Sequence, residues 1–391
     1  MSSSTAMAVD KPEKINVDEY LTTVLSTAPQ ELHPLFESLQ TLYHRKLWHQ
    51  LTLKLFEFFR HELSRPYRVD VFEKFVRDFE ERLNQLRLVE MGVIVSKEID
   101  NPITVLSFLT ALLSRINTEE SPEAHVLLLS SLAHAKLLYG DLDGTRTDMD
   151  SAWKILDDLD GVDPAVNAAY YSVAADYYKA KADYGPYYKN SLLYLACIDL
   201  AKDLSEEERM LRAHNLSVAA LLADNIYNFG ELLMHPILSS LDGTPHEWIK
   251  KLLFTFNAGD IGKFEALAPL FPKEPILQQN YPFLRQKICL MALIDSVSRR
   301  NRDSRVISFQ TIAEETRLDV GDVEHLVMKA LSLGLVRGSL DEIDQTAHIT
   351  WVQPRVLDRE QIGALADRLK AWTDKLKNVE QRIAPEVLTS A

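Results

Sequence analysis

From Val17 onward the hydrophobic positions recur at three- and four-residue spacing, so the chain reads as a succession of amphipathic helices. The clearest segments are Val17 to Ala28, Tyr43 to Leu63, Val69 to Leu88, Ile103 to Ile116 and Glu123 to Leu138. Residues 1–16 carry no such pattern and are expected to be a disordered tail. Aromatic residues crowd the second of these helices, with Trp48, Phe56, Phe58 and Phe59, and core packing accounts for them at that spacing.

Past residue 138 a repeat appears. Tyr139-Gly140-Asp141, Tyr184-Gly185 and Phe229-Gly230-Glu231 place their glycines 45 residues apart, and Ala258-Gly259-Asp260 follows at a shorter interval. An aromatic residue followed by glycine, closing one helix and opening the next, suits a stack of helical hairpins, because glycine enters the left-handed turn conformation without a Cβ clash. Residues 17–255 are therefore expected to form a right-handed helical-hairpin solenoid similar to tetratricopeptide arrays, with broad lateral surface. The tyrosines between Tyr170 and Tyr188 fit the tight helix crossings of such a stack. The helical pattern continues through residues 256–305, ending in a connector that holds Arg299, Arg300, Arg302 and Arg305.

The pattern then changes. Ser308 and Asp319 are suited to start helices, and the second helix places Val323, Leu326, Val327, Ala330 and Leu331 on one face before Gly334 ends it. Leu335 to Leu340 and Ala347 to Val352 read as two strands joined by the acidic turn Asp341 to Gln345. Two helices and a hairpin make a winged helix over residues 306–357. From Asp358 a final helix carries Ile362, Leu365, Leu369, Trp372, Leu376, Val379 and Ile383 at alternating spacings of 3 and 4. So narrow a seam suits a coiled-coil-type bundle with other helices better than a globular docking face.

Charge decides what the winged helix meets. The helix that would enter a DNA groove carries Asp319, Asp322 and Glu324 against Lys329, and the wing carries Asp341, Glu342 and Asp344 against Arg337. Phosphate contacts need the opposite sign, so a protein partner is expected, and a nucleic-acid-binding winged-helix regulator is the weaker alternative. The whole chain agrees, with 43 basic and 57 acidic residues among 391 and a net charge of −14. Cys197 and Cys289 lie far apart in apolar helical surroundings, as expected of thiols in a reducing compartment. The opening MSSSTAMAVDKPEKIN lacks the apolar core of a signal peptide, and no stretch has the length of a membrane span.

Chemistry-bearing motifs are missing. The histidines show no zinc-protease spacing, and there is no phosphate loop or nucleophile elbow. The aspartates of Asp141-Leu142-Asp143-Gly144 through Asp150 do not fit a calcium loop and suit helix capping. His325 and His348 have no second ligand or activating partner that sequence identifies, so no enzyme, metal or cofactor is expected.

A mostly α chain, with a solenoid, an acidic winged helix and a lone terminal helix, resembles the PCI family. That family comprises scaffold subunits of the proteasome lid, the signalosome and the translation initiation factor complex. Phe256-Asn257-Ala258-Gly259-Asp260, Val327 to Val336 and Ile349 to Leu357 are similar to its proteasome-lid members. The resemblance implies a non-catalytic assembly subunit in ubiquitin-dependent degradation, found in cytoplasm and nucleus. It implies PCI and metalloprotease-type lid subunits as partners, with a ubiquitin receptor, the ATPase ring or the core peptidase as further ones. Winged helices in the family extend one another's sheets, which places Leu335, Val336, Arg337, Leu340, Ile349 and Trp351 at one interface. Terminal helices gather in a bundle, which places the seam from Ile362 to Ile383 at another.

Overall fold

The computed structural model describes residues 17–27, 29–300, 305–354 and 359–387. They fall into two units that part between Asp199 and Leu200.

In the first unit, α1 is Val17–Thr27, α2 His33–His44, α3 Trp48–Arg60, α4 Arg65–Lys74 and α5 Gln85–Ser96. After these come α6 Pro102–Leu113, α7 Pro122–Tyr139, α8 Leu142–Asp157, α9 Pro164–Ala180 and α10 Tyr184–Cys197. The pairs α5/α6, α7/α8 and α9/α10 pack as hairpins, and α5, α7 and α9 pack in succession, which is the stacking a solenoid requires. One continuous apolar core runs from Val17 to Tyr177.

Two helices end earlier than periodicity predicts. The expected Tyr43 to Leu63 helix is broken at Lys46, which adopts a left-handed φ of 55°. Lys46 N–H donates to the Tyr43 carbonyl and Leu47 N–H to that of Leu42, closing α2 before α3 starts. The expected Val69 to Leu88 helix stops at Lys74 and passes through two short 3-10 turns, Val76–Asp78 and Glu80–Arg82. There Phe75 and Phe79 pack edge to face at 5.1 Å and both meet Tyr43, while Asn84 caps the next helix by accepting from Leu86 N–H at 2.9 Å. Tertiary aromatic packing and a capping side chain outweigh a helical period that runs through them.

The glycine repeat is half right. Gly140 and Gly259 close their helices at φ 93° and 64°. Gly185 and Gly230 instead lie inside the first turns of the helices that follow. In the second repeat the left-handed residue is Ala182, at φ 55°. At all three turns the next residue is an aspartate, Asp141, Asp183 or Asp260, whose N–H donates back to the carbonyl of Lys136, Tyr178 or Thr255. The structural unit is thus a left-handed residue followed by aspartate, and the aromatic-glycine spelling tracks it only in part. Asp141 also caps α8, while Asp148 pairs with Lys136 at 2.6 Å, so these aspartates serve helix ends and ion pairing. Tyr170, Tyr177, Tyr187 and Tyr188 are buried, and burial pushes the Tyr170 phenol up to about 12.

The second unit opens with α11 Leu200–Asp203, α12 Glu206–Leu222, α13 Gly230–Met234, α14 Glu247–Ala258, α15 Ile261–Leu267, α16 Pro275–Gln279 and α17 Tyr281–Arg299. A Ser205–Glu208 capping box starts α12. Then β1 Val306–Ser308, α18 Phe309–Thr316, α19 Val320–Ser332, β2 Val336–Asp341 and β3 Thr346–Val352 form the winged helix, and α20 Arg359–Val387 ends the described chain. The sequence pattern shows only the hairpin, but β1 is a third strand, and the antiparallel order is β1-β3-β2. Three residues are too short for an alternation to register. Ser308 caps α18, and Gly334 closes α19 at φ 68°. Asp319 stands at the start of α19 without a side-chain capping bond.

Candidate interaction surfaces

The winged helix packs its own core first. Ile307, Phe309, Ile312, Val323, Leu326, Val327, Ala330, Leu335, Val336, Ala347 and Ile349 are all buried. Three expected interface residues, Leu335, Val336 and Ile349, therefore spend their side chains inside the unit and leave only backbone for a partner. Leu340 is half-buried. Arg337 and Trp351 face outward as directly opposed residues of β2 and β3, with the guanidinium 4.8 Å from the indole centroid. This cation–π pair rigidifies the exposed face of the wing.

Strand order further restricts the interface. Ile349 and Trp351 belong to the central strand, so the free edge of the hairpin is β2, which has a strand neighbour on one side only among the described residues. Next to Arg337 the pairing shifts by one residue at Gly338. A Cβ on Gly338 would lie 2.1 Å from the His348 carbonyl oxygen, so the irregularity depends on glycine. Between the strands, Asp341 accepts from Ile343 and Asp344 N–H, both at 3.1 Å. That turn lifts Ile343 to 95% exposure at the wing tip, ringed by Asp341, Glu342 and Asp344. A lone apolar residue in an acidic turn is a visible signal that the hairpin assignment passes over.

Several cations near this surface are engaged. Lys329 donates to the Gln286 side chain at 2.5 Å, and Arg317 pairs with Glu265 at 2.8 Å. In the connector, Arg299 pairs with Asp295 and Arg300 with Glu315, each at 2.7 Å, while Arg302 lies outside the described residues. His325 and His348 are both exposed.

The terminal helix presents the second surface. Ile362, Leu365, Leu369, Trp372, Leu376 and Val379 are between 45% and 61% exposed, so the seam is left open by the described residues of the chain. Ile383 lies on the same helix by backbone position.

Lys287, which the sequence gives no reason to single out, is a buried charged residue of this unit, at 1% exposure. Its Nζ donates to the carbonyls of Ala220, Leu221 and Ala223 at 2.9, 3.0 and 2.7 Å, the unpaired acceptors at the end of α12. Desolvation drives its pKa down to about 7, against the weaker opposing pull of Asp224. The contact ties α17 to α12 beneath the winged helix.

Comparison with known proteins covers nearly the whole chain. The family model described as PSD13 N-terminal repeats matches residues 35–253, and that of the PCI domain matches residues 267–351. A probable 26S proteasome regulatory subunit rpn9 of Schizosaccharomyces pombe is 41% identical over 95% of this chain and 97% of its own. The 26S proteasome regulatory subunit RPN9 of Saccharomyces cerevisiae is 37% identical over 94% of this chain and 96% of its own. A translation initiation factor 3 subunit M of Aspergillus clavatus is 24% identical over 71% of this chain and 59% of its own.

Proposed function

This chain belongs to the family of 26S proteasome regulatory subunits with PSD13 N-terminal repeats and a PCI domain, and from that premise we propose that it is a non-catalytic assembly subunit of the proteasome lid. The observation that carries this reading is the open seam of α20. Six apolar side chains at heptad spacing, each about half exposed, form a stripe of the kind that marks an interaction site and is buried by other helices. A bundle shared with the terminal helices of other lid subunits supplies that cover.

The free edge of β2 is the second joint. Sheet extension needs unpaired backbone and tolerates a buried side-chain face, which matches an edge strand whose Val336 is buried in its own core. Acidic side chains at the wing and on α19, together with the engagement of Lys329 and Arg337, favour a protein partner over nucleic acid. Partners in this reading are PCI and metalloprotease-type lid subunits, with a ubiquitin receptor, the ATPase ring or the core peptidase reached by the helical repeats, in cytoplasm and nucleus.

The similarity to an initiation factor subunit supports a second reading, a PCI scaffold of that complex. Affinity purification of the tagged full chain at physiological salt, with mass spectrometry of what remains bound, separates the two. ATPase-ring and core-peptidase subunits are the expected companions; ribosomal or initiation-factor proteins in their place would reverse the assignment.

A further inference from the structure

Three side chains distant in sequence converge in the second unit. His214 comes from the middle of α12, His246 from the residue before α14, and Glu274 from the residue before α16. One ligand atom from each lies within 4.8 Å of the others. His214 Nε2 is 2.7 Å and His246 Nδ1 3.8 Å from the same oxygen, Glu274 Oε1, and the two rings meet edge to face at 4.4 Å.

We propose that His214, His246 and Glu274 form a binding site for a zinc-class divalent cation that braces α12 against the starts of α14 and α16. Two imidazole nitrogens and one carboxylate oxygen are a donor set that zinc accepts, with a fourth position for water. In a tetrahedral site with bonds of about 2.0–2.1 Å, neighbouring donors sit roughly 3.3 Å apart. The observed separations straddle that value, so small side-chain rotations bring the three donors into place.

Two local features favour a ligand over ordinary helix capping. Glu274 and His246 both occupy residues that start helices, yet neither side chain caps its own helix; both turn toward His214. In addition, Nδ1 of His214 is 3.4 Å from Asn215 Oδ1, an outer acceptor that orients the ring and leaves Nε2 for the metal. The site is accessible: the side chain of His246 is 36% exposed, against 16% and 18% for His214 and Glu274.

The test uses the purified full chain, stripped with a chelator and titrated with zinc sulfate by calorimetry, with magnesium as control and cobalt as a spectroscopic probe. One equivalent of zinc, a tetrahedral cobalt spectrum and a rise in thermal midpoint with zinc but not magnesium are expected. His246→Asn and Glu274→Gln, each confirmed folded by circular dichroism in the absence of metal, are expected to lose affinity by about tenfold or more. Absence of an equivalent of zinc, or an equivalent that both variants retain with less than about tenfold loss, overturns the site.

Discussion

The Nζ of Lys287 lies 2.7 Å from the carbonyl oxygen of Ala223, and the same nitrogen reaches the carbonyls of Ala220 and Leu221. One buried amine thus closes the end of a helix in another part of the unit. Lys287→Met fills the same volume but leaves those carbonyls without a donor, and each stranded acceptor costs about 1–3 kcal/mol. Removing a desolvated charge offsets part of that loss. The net expectation is destabilisation by about 2–4 kcal/mol, read as a lower urea midpoint at unchanged slope.

The same residue makes stability depend on pH in a defined direction. Its folded pKa is about 7, and in the unfolded chain it returns to the ordinary lysine range near 10.4. Between those values the unfolded chain holds a proton that the folded chain has released, so the residue's contribution to stability rises with pH. Below about 7 both states are protonated and the contribution is flat and at its least favourable. Urea midpoints of the wild-type chain and of Lys287→Met should therefore diverge from pH 7 to pH 9, with the wild-type gaining; parallel curves would reject the assignment.

Three left-handed turns rank by their surroundings. An alanine at Gly259 would place its Cβ 2.7 Å from the Ala292 Cα, against backbone that cannot yield, whereas at Gly140 nothing lies within 4 Å. Gly140→Ala is expected to cost about 1–2 kcal/mol for the left-handed backbone alone, and Gly259→Ala that amount plus about 1–3 kcal/mol of overpacking. Ala182→Gly relieves the backbone penalty at φ 55° but adds about 0.5–1 kcal/mol of chain entropy, so a gain below about 1 kcal/mol is expected. Thermal midpoints of the three variants should order Ala182→Gly, Gly140→Ala, Gly259→Ala from highest to lowest.

On α20, replacing Leu369 and Trp372 with Asp separates folding from assembly. Both side chains are more than half exposed, at 54% and 61%, so the isolated chain should keep its stability within about 0.5 kcal/mol. In a desolvated bundle each carboxylate would cost on the order of several kcal/mol. Circular dichroism and melting should match the wild-type chain, while incorporation into the regulatory particle, followed by co-purification, should fail. Normal incorporation would remove the seam from the assembly interface.

Elements whose evidence is local were legible in the sequence. The winged-helix helices, the hairpin and the terminal helix each declare themselves through a period of 3.6, 2 or 3.5 residues, with Ser308 and Gly334 marking helix ends in the winged helix. Ser308 to Val352 and the helix from Arg359 needed little else, while Asp358, the expected start of that helix, lies outside the described residues. The acidic sign of α19 and the wing is likewise a property of composition, independent of how the chain folds.

Tertiary structure decided everything that depends on who stands opposite. Phe75 and Phe79 stop a helix that their own period would continue, because Tyr43 and Trp48 offer them better contacts. Leu335, Val336 and Ile349 look the same on paper whether they face a partner or their own core, and only their burial in the fold settles which. Lys287 sits in the apolar run before Cys289, where its partners are carbonyls more than 60 residues away, and His214, His246 and Glu274 are no closer to one another in sequence than 28 residues. Periodicity records the face a residue occupies; burial, strand order and long-range polar contacts arise only when separate faces meet.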